Sequence, residues 1–155
     1  MKGYPKSFRP MLYGVSLATL VTGLLLVPTF LDMRLEWDVP WRLEFSMRLP
    51  VVAAHALVAF WLLMLFGATW TVHIRHGWRI RGNLVSGFTL VGGMLLLAVT
   101  GVGIYYFGDE DLSLLSSAAH TLAGIIAPLF LFYHISVGKF RAREHRAGVL
   151  LQRKA

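Results

Sequence analysis

The chain has 155 residues, of which 56% are hydrophobic and only 15% charged, with a mean hydropathy of +0.61 and a formal charge of +7. That balance excludes an ordinary soluble domain and places the chain in the membrane class. The absence of cysteine excludes disulfides, thiolate-held iron–sulfur clusters and thioether-linked prosthetic groups, which leaves histidine as the only strong nitrogen ligand for a metal.

Residues 1–10 are polar and basic, and the apolar run 11–31 has the length needed to cross a hydrocarbon core of roughly 30 Å. A basic start before an apolar core also describes a signal peptide. The run is long, however, and Pro28-Thr29-Phe30 offers no small-residue cleavage site, so an uncleaved first span is expected. In 32–49, Trp37, Trp41 and Phe45 recur at every fourth position, with Asp38 and Pro40 placed as a helix start. A short amphipathic helix at the membrane interface and an irregular loop with tryptophans in the headgroup belt both satisfy this pattern.

The second span is expected over 50–74, followed by a basic turn, 75–83. The third, 84–107, is rich in glycine (Gly87, Gly92, Gly93, Gly101 and Gly103). An acidic turn, Gly108-Asp109-Glu110-Asp111, leads to the fourth span, 112–137, where Pro128 loosens the helix one turn from Gly124. A basic tail begins at Lys139. No internal repeat or low-complexity segment stands out, and the whole chain, 1–155, reads as one transmembrane domain.

Charge orients the spans. The N-terminus, the 75–83 turn and the tail hold twelve of the fifteen Lys and Arg residues and one acid, Glu144. The other two loops hold Arg34, Arg42 and Arg48 against seven acids. The positive-inside rule then predicts an all-α, integral membrane four-helix bundle with both termini cytoplasmic. Basic residues distributed in this way are an orientation signal, so no nucleic-acid partner is expected, and the surrounding partner is membrane lipid.

Two histidines, His120 and His134, lie inside the fourth span, and His55 and His73 lie inside the second. An ionisable side chain at membrane depth is costly and by default marks a functional site facing the bundle interior. The step of 18 residues from His55 to His73 is five helical turns, leaving both rings on one stripe about 27 Å apart. The step of 14 from His120 to His134 returns to within about 40° after about 21 Å. The second and fourth spans run in the same direction, so His55 and His120 share the outer side and His73 and His134 the inner. Two imidazoles from facing helices, one on each side of a flat macrocycle, fill both axial positions of a haem iron. Four imidazoles in two such pairs predict two non-covalent b-type haems stacked across the membrane. The two spacings differ by about 6 Å, so tilt or unequal ligand heights must reconcile them. His76 as the inner ligand would widen the gap.

Other residues fit around this core. Gly92 and Gly101 of the third span and Gly124 of the fourth allow a porphyrin edge to approach a helix, and they serve helix–helix packing equally well. Arg48 near the outer face and Arg81 near the inner are placed to pair with haem propionates; orientation and lipid headgroup contact account for them as well. Gly101-x-Gly103 is no nucleotide loop, since it follows no strand. His73-x-x-His76 has no carboxylate or thiolate close in sequence to complete another metal site. His145 lies in the basic tail, where solvation accounts for it.

The run Thr100-Gly101-Val102-Gly103-Ile104-Tyr105-Tyr106-Phe107-Gly108-Asp109-Glu110, then Ser116-Ser117-Ala118-Ala119-His120 and Pro128-Leu129 through Tyr133-His134, resembles the small di-haem b-type cytochromes of bacterial membranes. Among these are cytochrome b561-like proteins and the cytochrome b subunits of formate dehydrogenases and nickel–iron hydrogenases. The resemblance covers about the last hundred residues, and its most specific part is the histidine pair on the last helix. It implies a multi-pass protein of the bacterial inner membrane that moves electrons between the quinone pool and another redox subunit, for which the tryptophan-rich outer loop is a docking surface on the periplasmic side. A quinone site near the inner haem would draw on Arg75, His76 and Trp78. Two competing functions are a haem-free anchor or assembly subunit of a larger respiratory complex, with histidines as hydrogen-bonding glue, and a small proton-relaying transporter. Scarce acids at membrane depth weigh against the transporter.

Overall fold

The structure is a computed structural model that describes residues 3–80 and 83–152. Arg81, and with it its expected propionate contact, lies outside the described residues, as does the side chain of His145. Among the described residues the chain is all-helical, with no strand. Helix α1 spans Phe8–Leu35 and α2 spans Phe45–Thr69. A π-helical turn, Trp70–Ile74, continues α2 into the short α3, Arg75–Arg79. Helix α4 spans Leu84–Tyr106 and α5 spans Glu110–Gln152. Four stretches, Phe8–Leu35, Phe45–Arg79, Leu84–Tyr106 and Glu110–Arg141, are long and apolar enough to cross a membrane, and they overlie the four apolar runs of the sequence.

The ends of these helices follow from local chemistry. Helix α1 stops where Glu36 turns left-handed (φ 55°), and the Trp37 N–H reaches back to the Leu31 carbonyl at 3.1 Å, closing a Schellman-type cap. Residues 36–44 then form a loop rather than an interfacial helix, and α2 does not begin until Phe45. Asn83, also left-handed (φ 50°), starts α4, a conformation that asparagine tolerates better than most residues. At the start of α5 the Asp109 carboxylate accepts the Leu112 N–H at 2.9 Å, and Glu110 and Asp111 add negative charge beside the positive end of the helix dipole. Pro28, Pro50 and Pro128 sit inside α1, α2 and α5, where each removes one backbone donor without ending its helix.

Helix α1 packs along α2, and α4 along α5, giving two antiparallel hairpins; α1 also touches α5, whereas the backbones of α2 and α5 stay apart. The packing is inverted relative to a soluble bundle. Large apolar side chains point outward, with Val85 82% and Leu129 69% exposed, while small hydroxyl residues are buried between helices: Thr69, Ser86, Thr100, Ser113, Ser116 and Ser117. In a lipid solvent an outward leucine costs nothing, and small residues let helix backbones approach closely. The α4–α5 hairpin shows this most sharply. A β-carbon added to Gly103 would lie 2.6 Å from the Ser116 hydroxyl oxygen and 2.7 Å from the Phe107 ring. Gly103→Ala is therefore expected to destabilise the fold by about 1–3 kcal/mol, read as a lowered melting temperature in detergent. An unchanged melting temperature would show that the hairpin is looser than its geometry.

Polar links tie the ends of the bundle. The Arg34 guanidinium donates to the Ser113 hydroxyl at 3.1 Å, and Ser113 donates to the Ile104 carbonyl at 3.2 Å, joining α1, α4 and α5 at the end that carries the acidic loops. At the opposite, basic end, the Tyr4 hydroxyl donates to the Ala68 carbonyl at 3.2 Å, and its ring stacks on Phe8.

Candidate metal centre

The four intramembrane histidines meet as two pairs across the space between α2 and α5. At the acidic end the rings of His55 and His120 have centroids 6.2 Å apart and planes at 86°. At the basic end those of His73 and His134 are 6.0 Å apart with planes at 88°. His73, and not His76, faces His134, and it is carried on the π-helical turn Trp70–Ile74.

Hydrogen bonds hold three of the rings through Nδ1. The Thr22 hydroxyl donates to the Ala18 carbonyl at 2.8 Å, so its oxygen is left to accept from Nδ1–H of His55 at 3.0 Å. Nδ1 of His120 lies 3.0 Å from the Leu97 carbonyl, which can only accept, and 3.1 Å from the Thr100 oxygen, whose own proton goes to the Leu96 carbonyl at 2.6 Å. Ser86 donates to the Asn83 carbonyl at 3.2 Å and accepts from Nδ1–H of His134 at 2.9 Å. The Leu97 carbonyl places the His120 proton on Nδ1 and leaves its lone pair on Nε2, and at His55 and His134 a hydroxyl that donates to a backbone carbonyl can accept from Nδ1–H in the same way. That is the tautomer a metal-ligating histidine needs, oriented as such ligands are by an acceptor behind the ring. Among the described residues no hydrogen bond reaches the side chain of His73, which is also the most exposed of the four.

The sequence assigns no role to Thr22, Gly23 or Ser86, and Thr100 enters there only within the run 100–110. For Thr22, Gly23 and Thr100 the signal is a repeated tripeptide, Val21-Thr22-Gly23 in α1 and Val99-Thr100-Gly101 in α4. In both copies the threonine accepts from an imidazole of the following span. The adjacent glycine makes room for that ring, since a β-carbon would lie 3.1 Å from Cε1 of His55 at Gly23 and 3.2 Å from Cε1 of His120 at Gly101. The two hairpins therefore present their acidic-end histidines in the same way.

The donor set can be tested against a metal. A metal–imidazole bond is about 2 Å long, and the ring centroid lies about 1 Å behind the nitrogen, so two imidazoles bound in trans to one ion have centroids about 6 Å apart. Both pairs match. Among the described residues no group of three or more His, Cys, Asp or Glu side chains gathers as a metal site. A bare ion would thus lack ligands, whereas an iron that brings four equatorial nitrogens needs only the two found here. The α2 and α5 backbones that carry the paired rings stay apart.

The remaining candidates are placed as follows. Gly101 packs against His120 itself; a β-carbon at Gly92 would meet nothing within 4 Å, and at Gly124 only the Leu97 side chain at 3.9 Å. Arg48 stands two helical turns from His55 toward the acidic end, in a polar cleft with Thr29, Asp32, Arg42 and Glu44, where Arg42 and Asp32 form an exposed ion pair at 2.6 Å. Trp78 is packed between Trp70 (5.4 Å, edge-on) and Phe88 (5.5 Å, stacked), which pins the basic turn to α4, while Arg75 and His76 are exposed. No family model, no curated protein and no solved structure matches this chain.

Proposed function

We propose that this chain is an electron-transfer subunit of a bacterial cytoplasmic membrane, holding one b-type haem between His55 and His120 and a second between His73 and His134. The observation that carries the reading is the pair of ring–ring separations, 6.2 and 6.0 Å, at the value that trans ligation of one iron requires. When bound, each haem supplies one-electron ferric–ferrous chemistry. The chain supplies the rest: Nε2 lone pairs held ready by the Nδ1 acceptors, an apolar jacket that excludes water, and two sites at different depths. Both termini lie on the cytoplasmic side by the charge rule, which makes the His55–His120 site the outer one. Arg48 is placed to meet a propionate at the outer edge. Electrons pass between the quinone pool and another redox subunit, for which the loop 36–44, with exposed Trp37 and Trp41, is the docking surface.

The test is the visible spectrum of purified protein from haem-replete cells. We expect a reducible b-type spectrum, haem that acidified solvent extracts, and about two haems per chain. A colourless, well-folded preparation would overturn the reading in favour of a haem-free anchoring subunit, in which the Thr22–His55 and Ser86–His134 hydrogen bonds act only as glue between helices. A finer prediction concerns Thr22→Val. Losing the acceptor behind His55 makes its Nε2 a poorer donor and disfavours the ferric state. A hydrogen bond worth about 1 kcal/mol corresponds to about 40 mV for one electron. One of the two midpoint potentials should rise by that order while the other stays, as a spectroelectrochemical titration would show.

A further inference from the structure

We propose that the inner centre is labile on its His73 side and exchanges that imidazole for a small neutral π-acceptor ligand of the carbon monoxide or nitric oxide class, whereas the outer centre does not. The inference rests on the two-haem reading above and starts from the inequality of the four rings. His55, His120 and His134 are each held from behind through Nδ1, by Thr22, by Leu97 and Thr100, and by Ser86. A held ring stays aimed when its metal bond breaks, so the bond re-forms at once. Among the described residues His73 has no such partner, its side chain is exposed, and it is carried on the π-helical turn Trp70–Ile74.

That turn is the second part of the device. A π-helical turn departs from the winding that the rest of α2 adopts, and such turns recur at functional positions. Rewinding it to α-helix changes the direction and height of His73 relative to His134 while leaving His55, some four turns earlier, where it is. The opposite ligand, His134, remains fixed by Ser86. Opening thus exposes one axial position on the inner iron and none on the outer.

The exchange is a substitution: one iron–nitrogen bond breaks, one iron–carbon or iron–nitrogen bond forms, and no electron changes hands. The ligand class follows from the metal: a ferrous iron that has released an imidazole takes a neutral π-acceptor, which reaches the site through lipid or from the basic face where the His73 side chain is exposed.

Carbon monoxide added to the dithionite-reduced, haem-loaded full chain tests this. About half of the haem should convert to the carbon monoxide form. His120→Leu, with the inner haem alone, should convert almost completely, and His134→Leu should not convert. His73→Ala should keep its inner haem on His134 and bind carbon monoxide at least tenfold faster than the parent, which decides the matter even where a leucine variant does not fold. Two haems with no uptake, or uptake that survives His134→Leu, would overturn this inference and leave the electron-transfer reading standing; a preparation without haem overturns both.

Discussion

His120→Leu is expected to purify with about one haem per chain in place of two, and His134→Leu to do the same with the other haem. In each variant the remaining imidazole faces a leucine, which offers no lone pair and whose bulk fills the axial position, whereas the smaller alanine of His73→Ala leaves that position open. The effect should be local. The outer pair is set by Thr22, Leu97 and Thr100 and the inner by Ser86, so the two sites share no positioning residue. Extracted haem measured against protein, with the two midpoint potentials assigned by which one disappears, reads the result. If both variants keep two haems, the pairing drawn from the ring geometry is wrong. If His120→Leu and His134→Leu remove the same haem, the chain holds one centre rather than two.

The second large effect is at Gly101. A β-carbon there already lies 3.2 Å from Cε1 and 3.5 Å from Nδ1 of His120, tighter than an ordinary contact. Valine adds two methyl groups beyond that carbon, and in a helix its side chain is confined almost wholly to one rotamer. The imidazole must yield by about 1 Å, half the length of the metal bond it is meant to make. The same shift breaks the contacts of Nδ1 with Leu97 and Thr100. Gly101→Val should therefore lower occupancy of the outer haem at least tenfold, about 1.4 kcal/mol or more, and leave the inner haem in place. Gly93→Val is the control, because a β-carbon at Gly93 meets nothing within 4 Å. Equal haem content in the two variants would show that Gly101 does not make room for the ring.

Much of this arrangement is legible in the chain itself, and the residues show why. The helices could be read because apolar runs long enough to span a bilayer admit few other structures when every backbone group must be satisfied internally. The histidine positions could be read because helical periodicity is rigid enough to carry a ring's direction over four or five turns. Three things escaped. Ser86 has no mark that separates it from other small polar residues of a membrane helix, and the Val-Thr-Gly repeat that carries Thr22 and Thr100 takes its role from which helices lie side by side. The π-helical turn at Trp70–Ile74 displaces the phase by a single extra residue, too small a change for a pattern in hydropathy to reveal. The segment 36–44 carries a helix-like spacing of aromatics, yet it runs as a loop from the left-handed cap at Glu36 to the start of α2.

The sequence by itself determined that this is a helical, membrane-spanning chain and that His55, His73, His120 and His134 lie at membrane depth, since solvent compatibility and helical repeat are local properties. Only the tertiary structure decided that the rings stand about 6 Å apart in two crossed pairs, that three of them are held through Nδ1, and that the His73 side chain has no hydrogen-bond partner among the described residues. Those features arise from side chains on different helices, and the distance between two helices is set by the small residues at their contact, Gly23 and Gly101 among them, rather than by anything within either helix alone.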